Sequence, residues 1–282
     1  MTQPRIDDLE FVIFDTETTG LNPRSGDRIV ELAAMRARGD AKLAVFESLV
    51  NPRRQISAEA FAVNRITSDM LTAAPGIEEV LPRFLSFAQN SVLCSYNLGF
   101  DLGFLKAELD NTQGVLPEHM CMVDILALAR TLMPQLPRHA LWFVAEQLGI
   151  RTVQKHRAFS DVEMTWEVFG RFKKMLLDKG VTNAKDFLRL FRFKAQALDD
   201  ESGRTMAAIQ EAIDLKLALT IKYFSKSRVA VSRRRVIPRE IKQEAGYAYL
   251  IAFCILRNEE RTFRIDHILE IETHERAPNS KG

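Results

Sequence analysis

Glu10-Phe-Val-Ile-Phe-Asp-Thr-Glu-Thr-Thr-Gly20 is the stretch on which the reading of this chain turns. Phe11 to Phe14 are four consecutive apolar, β-prone residues, bounded by acids before and by Thr-Thr-Gly after, which marks a short buried strand. Residues i and i+2 of a strand point to the same face. Asp15 and Glu17 therefore project side by side from its end. Two neighbouring carboxylates repel each other and favour a hard divalent cation between them. By itself such a pair is also the ordinary make-up of a solvated turn.

Outward from this strand, residues 28–38 and 44–50 read as two more strands, joined by a turn at Gly39-Asp40. Residues 57–70 look like helix and turn. Ile77, Val80, Leu81, Phe84, Leu85 and Ala88 follow the spacing of one helix face. A short strand at 92–94 precedes helices over 100–109, 123–132, 140–148 and 161–177. Strands alternating with helices predict an α/β sheet covered by helices. Beyond residue 177 the pattern changes to a basic helix over 182–197, a polar linker at 199–203 and an amphipathic helix over 204–217. Strands at 219–224, 228–236, 247–256 and 261–273 follow, which predict a small β-barrel or sandwich. A length of 282 residues fits two domains, with the boundary near 180–200.

Composition sets outer limits. Hydrophobic residues make up 46% and charged residues 27%, close to ordinary globular usage, which excludes a disordered or collagen-like chain. The longest uncharged apolar run, Tyr247–Leu256, has ten residues, against the roughly 20 a membrane-spanning helix needs. The first ten residues lack the basic start and apolar stretch of a secretory signal. Cys94, Cys121 and Cys254 form no C-x-x-C pair, so neither a disulfide framework nor a zinc site is implied. A reducing, cytoplasmic setting is expected. Charge is uneven: residues 1–170 hold 16 Lys and Arg against 22 Asp and Glu, whereas Lys216–Arg264 holds 12 against 4. An acidic half joined to a basic half predicts a phosphate-rich partner.

Two further segments carry chemistry. In Asn97-Leu-Gly-Phe-Asp-Leu-Gly-Phe-Leu105, Asp101 stands among apolar residues at the start of a helix, where a carboxylate could equally be a cap. In His156-Arg-Ala-Phe-Ser-Asp161 a histidine and an aspartate enter another helix. His119 and His139 have no comparable setting and are assigned to the surface or loops.

Taken together, Phe14-Asp-Thr-Glu-Thr-Thr-Gly20, Asn97-x-x-Phe-Asp101-x-x-Phe-Leu105 and His156-x4-Asp161 resemble the three motifs of the DEDDh branch of the DnaQ-like 3′–5′ exonucleases. Val63-Asn-Arg-Ile-Thr67 is similar to that family's H-G-I-T segment. The stretch from Met122-Val-Asp124 to Leu148-Gly149 is similar to its helical region. The sequence departs from the pattern at Tyr96, where a histidine is usual, and at Asn64-Arg65, where His-Gly is usual. The resemblance implies a ribonuclease H-like mixed sheet flanked by helices over residues 1–178. It also implies hydrolysis of phosphodiester bonds from 3′ ends of single-stranded DNA or RNA, releasing nucleoside 5′-monophosphates. Asp15, Glu17, Asp101 and Asp161 would hold two divalent ions, Mg²⁺ or Mn²⁺, which clamp attacking and leaving oxygens. His156 would serve as general base, its ordinary pKa near 6.5 suiting the task. Thr16, Thr18 and Leu21 would lie beside the terminal nucleotide, and Asn97 would support the second motif.

After a basic helical linker over 179–204, residues 205–276 resemble a WYL domain, a small mostly-β Sm-like barrel. Ile209-x-x-Ala-Ile213, Ile221-x-Tyr223, Arg235-Val-Ile-Pro238 and Gly246-Tyr-Ala-Tyr-Leu-Ile-Ala-Phe-Cys254 carry the likeness. The namesake Trp-Tyr-Leu reads Ala248-Tyr249-Leu250 here. Arg233-Arg-Arg235, Arg257, Arg261 and Arg264 interleaved with Tyr247, Tyr249 and Phe263 make the arginine-plus-aromatic mix that suits single strands. The rival reading is a nucleic-acid or ligand-sensing protein working through this domain, with little nuclease activity. No membrane association is expected, and the sequence names no protein partner.

Overall fold

β1 (Glu10–Thr18) is the central strand of a five-stranded sheet, and its position explains why the apolar run is unbroken: Phe11, Val12, Ile13 and Phe14 are all buried. A strand covered on both faces needs apolar residues at odd and even positions alike. The computed structural model describes residues 4–117, 120–151, 156–193, 201–225, 230–244 and 247–276. β2 (Ile29–Arg38) runs antiparallel to β1, and β3 (Ala41–Leu49) antiparallel to β2. β4 (Val92–Ser95) and β5 (Cys121–Asp124) continue the sheet in parallel on the other side, giving the order β3-β2-β1-β4-β5. The turn between β2 and β3 passes through Gly39 at φ +59°, a conformation that costs glycine little.

Eight helices accompany this sheet among the described residues: α1 (Ala58–Asn64), α2 (Ser68–Thr72), α3 (Ile77–Phe87), α4 (Leu98–Asn111), α5 (Ile125–Leu132), α6 (Leu141–Gln147), α7 (Ala158–Asp178) and α8 (Ala184–Phe191). Phe11 and Ile13 point to one face and pack with Phe169 and Phe172 of α7 and Phe187 of α8; the Phe11 and Phe169 rings meet edge-on at 4.9 Å. Val12 and Phe14 point to the other face, against Phe84 of α3 and Leu102 and Leu105 of α4.

The second unit begins with α9 (Glu201–Asp214) and continues as β6 (Leu217–Ser225), β7 (Ala230–Glu244), β8 (Tyr247–Cys254), β9 (Glu259–Arg264) and β10 (Ile268–Arg276). These strands form one antiparallel sheet in the order β10-β6-β7-β8-β9. Its buried face, with Leu219, Ile221, Val236 and Leu250, packs on Ala207, Ile209 and Ala212 of α9. The same apolar cluster runs on to Val12, Phe14 and α4, so the two units share a core.

Several expectations are revised. The barrel is not closed among the described residues: β9 pairs only with β8 and β10 only with β6, and α9 covers the buried face instead. The strand expected at 261–273 is two strands, interrupted by the turn Ile265–His267. The strand expected to stop at Val236 runs through Pro238, because a bulge between Pro238 and Glu240 removes the need for a proline donor. The helix expected over 123–132 starts at Ile125, because Val123 and Asp124 belong to β5, which at four residues shows no period of its own. The basic helix expected over 182–197 shortens to α8, whose Phe187 belongs to the core beneath α7, while 194–200 lie outside the described residues. Among the described residues no helix is long and apolar enough to cross a membrane.

Candidate metal centre and active site

β1 delivers its two acids as the alternation requires: Thr16 and Thr18 turn inward and are buried, and Asp15 and Glu17 turn toward the opening of the site. α7 brings Asp161 in its first turn. Ligand atoms of Asp15, Glu17 and Asp161 all lie within 4.8 Å of one another. The start of α7 is held by Glu31 of β2, whose carboxylate takes a paired bond from Arg157 (2.6 and 3.0 Å) and a third from the Ala158 amide (3.0 Å). Glu31 thus sets the position of Asp161 and of His156 just before it.

Asp101 is placed differently from the other three acids. It is buried in the first turn of α4, where it accepts the Thr16 amide at 3.0 Å, the Thr16 hydroxyl at 2.7 Å, and the Ser95 hydroxyl. It lies outside the three-carboxylate group but lines the same cavity, as do His156, Thr16, Thr18 and Leu21. Thr16, expected beside the substrate, spends its hydroxyl on positioning Asp101. Thr18 spends its own on the Gly20 carbonyl at 2.5 Å. Asn97 precedes α4 in the left-handed region, φ +65°, a conformation asparagine tolerates. Its amide donates to the Ala207 carbonyl at 3.2 Å and to Glu211 at 3.1 Å, both on α9.

Glu211 and Asp214 are the residues sequence reasoning missed. With Leu215 they line the cavity from the second unit. Three positions apart on a helix they share a face, and that spacing was the available signal; which neighbour the face would meet was not readable from periodicity.

The electrostatics follow from this crowding. No lysine or arginine lines the cavity among the described residues. Asp15 is held well above the usual carboxylate range, first by burial and then by Asp101, Asp161 and Glu17. Glu17 is raised by burial, then by Asp161. Burial lifts Asp101 to about 7 against the opposing bonds from Ser95 and Thr16. It lifts Glu211 to about 8, with Asp214 adding to the rise. Asp214 rises to about 7 by burial, opposed by its bond from Gln210 and by Arg130. Clustered carboxylate oxygens without a balancing side chain are the donor set that hard divalent cations such as Mg²⁺ and Mn²⁺ take, and the residues present fit such ions.

The arginine and tyrosine positions expected to bind nucleic acid do not form one surface. Strand register puts Arg235, Tyr249 and Arg264 on the exposed face, Arg235 opposite Thr220 and Tyr249 directly opposite Arg264. Arg264 also stacks on Tyr247, 3.9 Å from the ring centre, and pairs with Asp266. Arg261 stands opposite buried Ala252, on the other side of the pleat, and Arg257 lies in the turn after β8. Phe263 is core, packed edge-on against Tyr223 at 5.1 Å. His139 sits in the loop before α6, its ring nitrogen 3.0 Å from the Met133 carbonyl oxygen; His119 lies outside the described residues.

Comparison with known proteins agrees with both halves. The chain is 36% identical over 176 residues to DNA polymerase III PolC-type of Staphylococcus haemolyticus, covering 62% of this chain and 12% of that protein. It is 36% identical over 183 residues to the PolC-type polymerase of Thermotoga maritima, covering 65% and 13%. The chain thus spans about an eighth of the length of these curated relatives. Among solved structures it is similar to the nuclease domain of 3′hExo, a DEDDh family member bound to rAMP, with a TM-score of 0.53 at 17% identity over 62% of this chain and 96% of that one. It is also similar to cell-death related nuclease 4, with a TM-score of 0.53 at 12% identity over 62% and 66%. These likenesses establish a ribonuclease H-like fold. Residues 204–273 match the WYL domain. Residues 12–169 match the RNase T exonuclease family, and with that match spanning more than half its length the chain belongs to that family.

Proposed function

We propose that this protein is a 3′–5′ exonuclease that removes nucleoside 5′-monophosphates from single-stranded 3′ ends of DNA or RNA. The observation that carries the reading is the meeting of Asp15, Glu17 and Asp161 within one ion's reach, with Asp101 and His156 lining the same cavity. Asp15, Glu17 and Asp161 would hold one divalent ion, and Asp101 with Asp15 would complete a site for a second. Bound there, Mg²⁺ or Mn²⁺ supplies a Lewis acid for the phosphate and lowers the pKa of bound water. His156, beside that group at the mouth of α7, takes the proton of the attacking water as general base. Thr16 keeps Asp101 oriented. Leu21 and Val63 offer an apolar wall to the terminal base.

A PolC-type polymerase is the relative of highest identity named above, which supports work on DNA; the neighbour bound to rAMP is similar in fold alone. The exposed face with Arg235, Tyr249 and Arg264 supports a second contact, in which the C-terminal sheet pairs phosphates and stacks bases of the strand outside the catalytic cavity. The test is product analysis on 5′-labelled single- and double-stranded DNA and RNA. With Mn²⁺ the labels should shorten one nucleotide at a time, and chelator or Asp15→Ala should stop it. Equal turnover in all three conditions contradicts the proposal.

A further inference from the structure

α9 belongs to the C-terminal unit, yet it bounds the catalytic cavity. Glu211, Asp214 and Leu215 face Asp15, Asp101 and Asp161 across a space of about 70 Å³. Sites that hold small organic ligands run from about 300 Å³ upward, so the remaining space admits ions and water but no nucleotide. The helix is seated by specific contacts. The Asn97 amide spends both its bonds on the Ala207 carbonyl and the Glu211 carboxylate. Arg130 donates to Gln210 at 2.5 Å. Gly99 of α4 permits the close approach, since a Cβ there would lie 3.3 Å from that of Ala207. Leu215 stands beside Leu21 and Val63, the wall assigned above to the terminal base.

We propose that α9 is a built-in occupant of the nucleotide site: Glu211 stands where a substrate phosphate would meet the centre, Leu215 where the terminal base would rest, and the C-terminal unit must withdraw α9 before a 3′ end can enter. The proposal rests on the exonuclease reading. A carboxylate offers hard cations the same oxygen donors as a phosphate, which makes Glu211 a fitting stand-in. Its placement among other carboxylates is repulsive, and apolar packing of Ala207, Ile209 and Ala212 together with the Asn97 bonds opposes that repulsion. A closed state held by opposed forces is one that a strand bound on the C-terminal sheet can open. Binding at the two places is then linked, each favouring the other.

The test uses the full chain with Gly99→Cys and Ala207→Cys together. Their Cβ separation lies a few tenths of an ångström below the roughly 3.5–4.5 Å of natural disulfides, so oxidation should lock α9 in place. Two readouts are followed: mononucleotide release from a labelled oligonucleotide with Mn²⁺, and calorimetric binding of thymidine 5′-monophosphate with Mn²⁺. The crosslinked form should lose both, dithiothreitol should restore both, and the unsubstituted chain should ignore the oxidant. In a second variant, Glu211→Ala, kcat/KM and nucleotide affinity should rise about 10- to 100-fold as the seated fraction falls. A crosslinked protein that cleaves and binds like its reduced form overturns the proposal. So does a Glu211→Ala variant that loses Mn²⁺ affinity, since Glu211 would then be a ligand of the working centre. If nothing is cleaved in any state but nucleotide binding still follows the crosslink, the exonuclease reading fails and the occlusion stands. Binding in neither redox state overturns both.

Discussion

The side-chain amide of Asn97 donates at 3.1 Å to the carboxylate of Glu211, tying the first turn of α4 to a helix 114 residues further along the chain. Asn97 stands four residues before Asp101, which Thr16 and Ser95 orient. A movement of α9 is therefore felt at the centre through one amide. The shared apolar cluster makes the coupling mechanical as well as electrostatic, because the core beneath β1 continues into the C-terminal sheet.

The crowded carboxylates predict an inverted stability profile for the metal-free protein. Asp101 and Asp214 are raised to about 7 and Glu211 to about 8 in the folded chain, against an unfolded value near 4. Between those limits the folded state binds protons that the unfolded state has released, so stability falls as pH rises through that window. Chelator-treated protein should melt at a higher temperature near pH ~5.5 than near pH ~8, and Mn²⁺ should raise Tm more at the higher pH. A melting curve indifferent to both pH and Mn²⁺ contradicts the crowding.

At the centre itself, Asp161→Asn keeps the shape of the side chain and removes one anionic ligand. Cleavage should fall on the order of 10³-fold, the equivalent of about 4 kcal/mol of lost charge stabilisation. Calorimetry should show weaker Mn²⁺ binding while Tm without metal rises, because a repelling charge is gone. Retained Mn²⁺ affinity would exclude Asp161 as a ligand.

Thr16 is expected to act through Asp101. Thr16→Val removes the hydroxyl donor that restrains the Asp101 carboxyl, so that carboxyl rises further. The acidic limb of the rate profile should move to higher pH with KM little changed, and Thr16→Ser should restore it. A uniform loss of rate at every pH would mean that Thr16 touches substrate instead.

Much of this is legible in the amino-acid sequence. Phe11–Phe14 announced a central strand because both its faces are covered, and the i, i+2 spacing of Asp15 and Glu17 announced their convergence. Asp101, Asp161 and His156 needed the motif set, since the two aspartates look locally like helix caps. Other features were illegible for identifiable reasons. Four residues are too few for β5 to display a period. The bulge after Pro238 hides a strand that proline would ordinarily end. Glu211 and Asp214 follow an ordinary amphipathic pattern, whose polar face reads as solvated until α4 is seen lying against it.

Outside the centre, the pair Arg28–Glu108 should be a principal brace. Glu108 is buried on α4 and accepts Arg28 twice, at 2.7 and 2.6 Å, as well as the Ile29 amide at 3.3 Å. Arg28→Ala leaves a buried carboxylate without its cation. The expected loss is about 2–3 kcal/mol, below the value for a fully buried pair because the guanidinium is partly solvated. Urea unfolding reads it, and Arg28→Ala combined with Glu108→Gln should recover part of the loss. A change below about 0.5 kcal/mol would show that the pair contributes only surface attraction.

The role of the C-terminal sheet is best tested by point substitution. Deleting residues 195–282 would strip Ala207, Ile209, Ala212 and the strand residues from a core shared with β1 and α4, so lost binding could reflect unfolding. Arg264 avoids this difficulty. It lies on the exposed face, stacked on Tyr247 and opposite Tyr249, and contributes nothing to the apolar cluster. Its guanidinium is held upward in pKa by the bond to Asp266 and stays charged throughout the working range. If that face pairs phosphates, Arg264→Ala should weaken single-strand binding and reduce the slope of log K against log salt by about one unit or slightly less. Tyr249→Ala should weaken binding by about 1–3 kcal/mol with the slope unchanged, since stacking releases no counterions. Mononucleotide binding in the catalytic cavity should be unaffected by either. Unchanged affinity and slope in both variants would remove the sheet from the binding surface and leave its face as ordinary solvated protein.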